Sequence, residues 1–318
     1  PMGNGPANSQ AESRMPKPQA HPLRLPLLAL VGGALAVAFA PIFPKMAMDA
    51  SAIGPIATAF WRLSLATPVL LAVWLMARFL NKSSRTGEIK PVSIPWLLLP
   101  GLLFGLDLLT WHLSFPLTTA ANATLLANLE VVLVGIVGWL ILKERMGWQF
   151  GAGGLLALAG VVILMSFGPE AEEGRNPLMG DLLAMLTAVW YASYILSIKR
   201  VRRRWSAISV ILATTIVGAI VLFISAILAG ETLLPDATDA WLYLILLAII
   251  PHCLGQGLIV YSLASLPASL AAVTLLLQPV GAACWGWLIL GEALNLPQIM
   301  AGLIVLAGIA LARLGTLE

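Results

Sequence analysis

Charge is what this 318-residue sequence has least of. Asp, Glu, Lys and Arg make up 10% of it and apolar residues 59%, with a mean hydropathy of +0.93. Such a chain cannot cover a folded surface with polar groups, which excludes an ordinary soluble globular domain. Cysteine is almost missing: Cys253 and Cys284 both lie inside apolar runs, with no zinc-ligand spacing and no basis for a disulfide. HExxH, GxSxG and paired-aspartate motifs are absent, so no catalytic residue, metal or cofactor is expected. The apolar runs do not alternate at period two, which excludes a membrane β-barrel. Polar stretches long enough for a separate soluble domain are lacking too.

What is there is apolar length. Ten runs, at about 26–48, 53–77, 94–115, 118–141, 148–168, 179–199, 206–229, 241–263, 268–290 and 296–313, each approach the roughly 20 residues a helix needs to cross hydrocarbon. The expected fold is therefore all-α, with the lipid bilayer as its surroundings. The net charge of +3 is not a nucleic-acid signal, because its placement follows the spans. Of the 18 basic residues, 15 fall before the first span or in breaks that alternate from there, while only Lys45 and Arg175 fall on the other side and Arg62 lies within a span. By the positive-inside rule both termini are cytoplasmic.

The chain also contains itself twice. Gly138–Glu144 reads GWLILKE and Gly286–Glu292 reads GWLILGE; Gly154–Gly160 (GLLALAG) and Gly302–Gly308 (GLIVLAG) repeat at the same offset of 148. The matching pieces are spans four and five and spans nine and ten, so each unit holds five spans. An odd number forces the second copy to enter the membrane upside down, which is the architecture of alternating-access carriers with a site near the midplane. The expected organisation is a disordered tail over 1–23, a first repeat over 24–170 and a second over 171–318. In the tail Met15 is a candidate natural start, and no cleavable signal peptide is needed before a first span long enough to stay.

Polar residues in mid-span mark the candidate site, since a charge there costs about 2.5 to 3.5 kcal/mol on insertion scales. Asp107, Thr110, Trp111 and Ser114 share one helical face, and so do Thr187, Trp190, Tyr191 and Tyr194. His252 and Gln256 share another. Glu130 and Gln278 stand at equivalent positions of the two copies. Two readings stay open for that pair: a site on the pseudo-twofold axis, or a hydrogen bond holding the halves together. For Arg62, a structural ion pair or snorkelling to the interface is expected ahead of a ligand contact. Pro41 and Pro44 either kink the first span or end it. Gly151, Gly154, Gly160, Gly302 and Gly308 make spans five and ten look like close-packing surfaces, with a monomer or weak homodimer as the expected state.

The paired GWLILKE and GWLILGE segments, the Leu-Gln-Pro of Leu277–Pro279 and the trailing glycine segments resemble the two EamA repeats of the drug/metabolite transporter superfamily, over nearly the whole chain after the tail. The resemblance implies a ten-helix carrier, in a family with many bacterial inner-membrane exporters of amino acids and other metabolites, the aromatic amino acid exporters being one branch. It carries one departure: Glu130-Val131 stands where the family pattern has a proline in the first copy, which puts a symmetric pair of kinks in doubt. The function expected is export of a small zwitterionic or cationic solute, with Asp107, Trp111, Glu130, Trp190, Tyr191, Tyr194, His252, Gln256 and Gln278 as its binding residues. Cationic drug export by proton antiport, a membrane enzyme using Asp107, Glu130 and His252, and a channel are the rivals.

Overall fold

A backbone buried in hydrocarbon must satisfy its own N–H and C=O groups, and a long apolar run does so by forming a helix. The computed structural model describes residues 24–80, 94–114, 117–118, 120–167, 176–291 and 293–315. Ten helices in it are long and apolar enough to span a membrane: α1 Arg24–Ala50, α2 Pro55–Leu80, α3 Trp96–Ser114, α4 Ala123–Leu140, α5 Trp148–Ser166, α6 Pro177–Val201, α7 Ala207–Leu228, α8 Thr238–Ser262, α9 Ala268–Leu290 and α10 Leu296–Leu314. They coincide with the ten expected spans to within a few residues. The tail over 1–23, the acidic residues 170–173 and Glu292 lie outside the described residues. Large apolar side chains such as Phe79, Leu155, Ile220 and Leu303 are exposed around the bundle, as a surface that meets lipid requires.

The packing keeps the symmetry of the sequence. Helix α3 lies against α6 and α8 against α1; α3 lies against α7 and α8 against α2. Exchanging the two halves turns each of these pairs into the other. The pairs α2–α7, α4–α9 and α5–α10 map onto themselves, so the pseudo-twofold axis runs between them. The fold is two inverted five-helix repeats.

Both copies of the fourth helix are broken at the same place. Helix α4 is interrupted at Asn128 and Leu129 and resumes at Glu130; α9 is interrupted at Leu276 and resumes at Leu277. The expectation that a missing proline would spoil this symmetry is corrected. In α4, Leu129 N bonds Leu126 O at 3.2 Å and Val131 N bonds Asn128 O at 3.2 Å, i→i−3 steps that tighten the turn. The Asn128 side chain donates to Thr124 O at 2.8 Å, so it supplies locally what proline supplies by sterics in α9. Helix α1 is likewise kinked rather than ended at Pro41. Phe39 N turns to Ala36 O, and the Leu35 carbonyl accepts instead from the Trp285 indole at 3.1 Å.

The turn after the fourth helix of each repeat holds a left-handed residue: Lys143 has φ 53° and Gly291, its counterpart, φ 71°. A side chain in that conformation costs energy that glycine avoids. Lys143→Gly is therefore expected to raise stability by about 1 kcal/mol, read as a higher melting temperature of the purified protein.

Glycines of α5 and α10 form a close-packed seam within the chain, as the close-packing reading expected. A Cβ on Gly160 would meet Val305 N at 2.9 Å, and one on Gly308 would meet Ala157 N at 2.4 Å. Gly153, not singled out above, is the tightest of the three, a Cβ there falling 2.3 Å from Ala312 N, whereas a Cβ on Gly151 would meet no neighbouring element within 4 Å.

Two carboxylates close helix ends across the bundle. Glu144, after α4, accepts from Ala268 N (2.8 Å), Ser269 N (3.2 Å) and Ser269 Oγ (2.6 Å), satisfying the first turn of α9. Beside it Lys199 donates to the Leu266 carbonyl and Arg202 Nε to Val260 O at 3.0 Å. At the other end Glu231 accepts from Ile56 N and Ala57 N at the start of α2. There the Ser51 hydroxyl, donating to Asp236 at 2.6 Å, holds that exposed carboxyl below its ordinary range, so this contact weakens as pH falls through the lowered value.

Candidate functional site

Where the broken helices meet, the bundle encloses a cavity of ≈ 960 Å³. Each polar group on its wall is placed by a local feature of its helix. Asp107 and Trp111 are one turn apart on α3; Thr187 and Tyr191 are one turn apart on α6, and Thr187 Oγ1 lies 2.7 Å from Thr110 Oγ1, pinning the two helices together. Asn128 and Glu130 enter from the break in α4 and Gln278 from the break in α9. Gln256 sits at the end of a π-helical stretch, Ala248–Gln256, formed around Pro251. Such wide turns free backbone groups and reorient side chains, and they recur at functional sites.

The structure thus gathers six of the nine expected residues, Asp107, Trp111, Glu130, Tyr191, Gln256 and Gln278, on one wall. The other three lie elsewhere. Tyr194 is fully buried, its ring 4.8 Å from Phe104. His252 is also fully buried, with Nε2 2.7 Å from the Thr215 hydroxyl and its ring behind Phe104 at 5.8 Å. Trp190 is half-buried one position round from Tyr191, outside the cavity lining. Glu130 and Gln278 both line the cavity.

Sequence reasoning missed two wall residues. Arg62 is 3% exposed and lines the cavity, with its guanidinium carbon 6.0 Å from the centre of the Phe104 ring. It does not snorkel to the surface, which corrects one of the two arrangements expected for it, while Asp107 interacts with it as the acid of the other; its signal was present, since an ionisable residue within a span is a functional candidate by default. Phe104 gave no signal, because a phenylalanine in an apolar run looks the same whether it faces lipid, core or cavity.

Several wall groups are unsatisfied. Arg62 Nε is buried without a hydrogen-bond partner, and the Tyr191 hydroxyl and Gln256 Oε1, which stand side by side, have no partner beyond each other. Unpaired polar groups cost free energy in a dry interior, and those on this wall are placed where a solute in the cavity can pair with them. The cavity can hold an amphipathic solute: carboxyls at Asp107 and Glu130, a guanidinium at Arg62, amides at Gln256 and Gln278, and rings at Phe104, Trp111 and Tyr191. Among the described residues no group of three or more His, Cys, Asp or Glu is placed to hold a metal ion.

The lining is one-sided. From these groups it runs past Pro41 and Lys45 of α1, Phe167 after α5, and Asn295 and Gln298 at the start of α10. Among the described residues, no lining residue comes from the opposite helix ends, where Glu144, Lys199 and Arg202 hold the segment between α8 and α9.

Known proteins agree with this architecture. A solved crystal structure with 22% sequence identity superposes with a TM-score of 0.73 over 92% of this chain and 99% of its own, a likeness of fold. An uncharacterized transporter of Archaeoglobus fulgidus is 28% identical over 265 residues, covering 81% of this chain and 87% of the relative. The uncharacterized transporter YdfC of Bacillus subtilis is 23% identical over 277 residues, 87% of each chain. The model of the EamA-like transporter family matches twice, at residues 24–166 and at 178–314. Matched in both of its inverted halves, the chain belongs to the EamA-like transporter family.

Proposed function

We propose that this transporter exports small amphipathic metabolites, amino acids with apolar or aromatic side chains foremost, by alternating access across a bacterial inner membrane with both termini in the cytoplasm. The single observation that carries this reading is the one-sided cavity between two symmetric halves. A symmetric fold has no reason to open at one end and seal at the other unless the reverse arrangement is also available to it. With the basic clusters inside, the open end is the external one and the Glu144 end is cytoplasmic. A channel would keep both ends open.

Aromatic rings at Trp111 and Tyr191 suit a flat apolar side chain by stacking, while Asp107, Glu130, Gln256 and Gln278 suit its polar end. Counterflow of labelled L-phenylalanine in proteoliposomes tests this. Tyr191→Ala and Gln278→Ala should each cut exchange at least tenfold, a loss on the scale of one removed ring contact or one hydrogen bond to a charged group. Exchange left at the wild-type rate in both variants would remove this wall from the transport path. Flux that never saturates with solute would favour a channel instead.

A further inference from the structure

We infer that Arg62 is the carboxylate-binding residue of the cavity, so that the transported solute is a zwitterion or an acid rather than a simple amine; this rests on the amino-acid reading above. Arginine carries five donors in a planar fork that matches a carboxylate, and it stays charged when buried. Here its side chain is 3% exposed, reaches the cavity wall, and leaves Nε without a partner. A guanidinium kept in the interior only to balance an acid would be expected to spend its donors on that acid, because each unpaired buried donor costs free energy. Asp107 shares the wall and offsets part of the charge, yet Nε remains open. Glu130 brings a second carboxyl to the same wall. Arg62 and the two acids give a zwitterion a partner at each end, with Lys45 further along the lining: the carboxylate on Arg62, the ammonium towards Asp107 and Glu130. The Phe104 ring, its centre 6.0 Å from the guanidinium carbon, lies beside the fork.

The test uses three probes of one shape: L-phenylalanine, phenethylamine, which lacks the carboxylate, and 3-phenylpropionate, which lacks the ammonium. Each is titrated against the purified full chain by thermal shift, in wild type, Arg62→Gln and Arg62→Lys. In Arg62→Gln, affinity for L-phenylalanine and phenylpropionate should fall by roughly tenfold to a hundredfold, the range for losing a charge-assisted hydrogen-bonded contact. Phenethylamine should bind as well as before or better, because a repelling charge has gone, and this also shows that the variant folds. Arg62→Lys should recover part of the loss, since the charge returns without the fork. Equal weakening of all three probes in Arg62→Gln assigns Arg62 a structural role and overturns the inference alone. A wild type that none of the three stabilises overturns the inference together with the amino-acid reading.

Discussion

Under the proposed alternating-access reading, Glu144→Ala is expected to unlock the sealed end of the bundle and to shift the transporter out of the outward-open arrangement by ten- to a hundredfold in population. The carboxylate makes three hydrogen bonds to the first turn of α9, at 2.6 to 3.2 Å. Bonds to a charged group contribute about 1.5–3 kcal/mol each, less what water recovers at this half-buried position. Even one net bond is a tenfold change in a two-state equilibrium. The effect is conformational because Glu144 belongs to the first half and Ala268 and Ser269 to the second. The contact exists only while the halves are closed at that end. The measurement is the labelling rate of a cysteine placed at Ala282, on the cavity wall, in a background with Cys253 and Cys284 replaced, using a maleimide that cannot cross the membrane. Labelling from outside should slow at least tenfold in Glu144→Ala and less in Glu144→Gln, which keeps one acceptor. An unchanged rate would mean that Glu144 only finishes a helix.

Much of this arrangement was legible in the sequence, for identifiable reasons. Apolar length wrote the ten helices, and the shared offset of 148 wrote the inverted pairing that α2–α7, α4–α9 and α5–α10 obey. Asp107, Glu130 and Gln278 were readable because a polar side chain in hydrocarbon needs a reason. The residues that went astray did so where one helix has more than one buried face. Spacing put Trp190, Tyr191 and Tyr194 on one stripe, but the cavity takes only the narrower line through Thr187 and Tyr191, while Tyr194 turns to Phe104 on α3. His252 and Gln256 share a face by their spacing, yet the cavity takes only Gln256, while His252 packs behind Phe104 with its ring nitrogen on Thr215. Arg62 was visible and undervalued. Its depth from the helix end said that it was inside the membrane, but not whether acid, interface or cavity lay opposite.

The α5–α10 seam carries the other large effect. Gly153→Val and Gly308→Val are each expected to prevent accumulation of folded protein, or to lower the melting temperature severely. In lipid there is no hydrophobic drive between helices, so association rests on close packing, and two backbones approach this closely only where both lack side chains. A Cβ at Gly153 would lie 2.3 Å from Ala312 N and 2.5 Å from Gly308 O; one at Gly308 would lie 2.4 Å from Ala157 N and 2.7 Å from Gly153 O. Backbone atoms cannot rotate away as the tip of a side chain can, so the helices must separate along the seam, beyond the 1–3 kcal/mol usual for overpacking. Gly151→Ala is the control: no neighbouring element lies within 4 Å of its Cβ, and in mid-helix alanine should be better than glycine by about 0.5–1 kcal/mol. The measurement is the melting temperature and monodispersity of the three purified variants. If instead Gly153→Val and Gly308→Val fold normally and only lose a dimer, the seam lies between two chains rather than within one, and the pseudo-twofold packing described above would have to be redrawn.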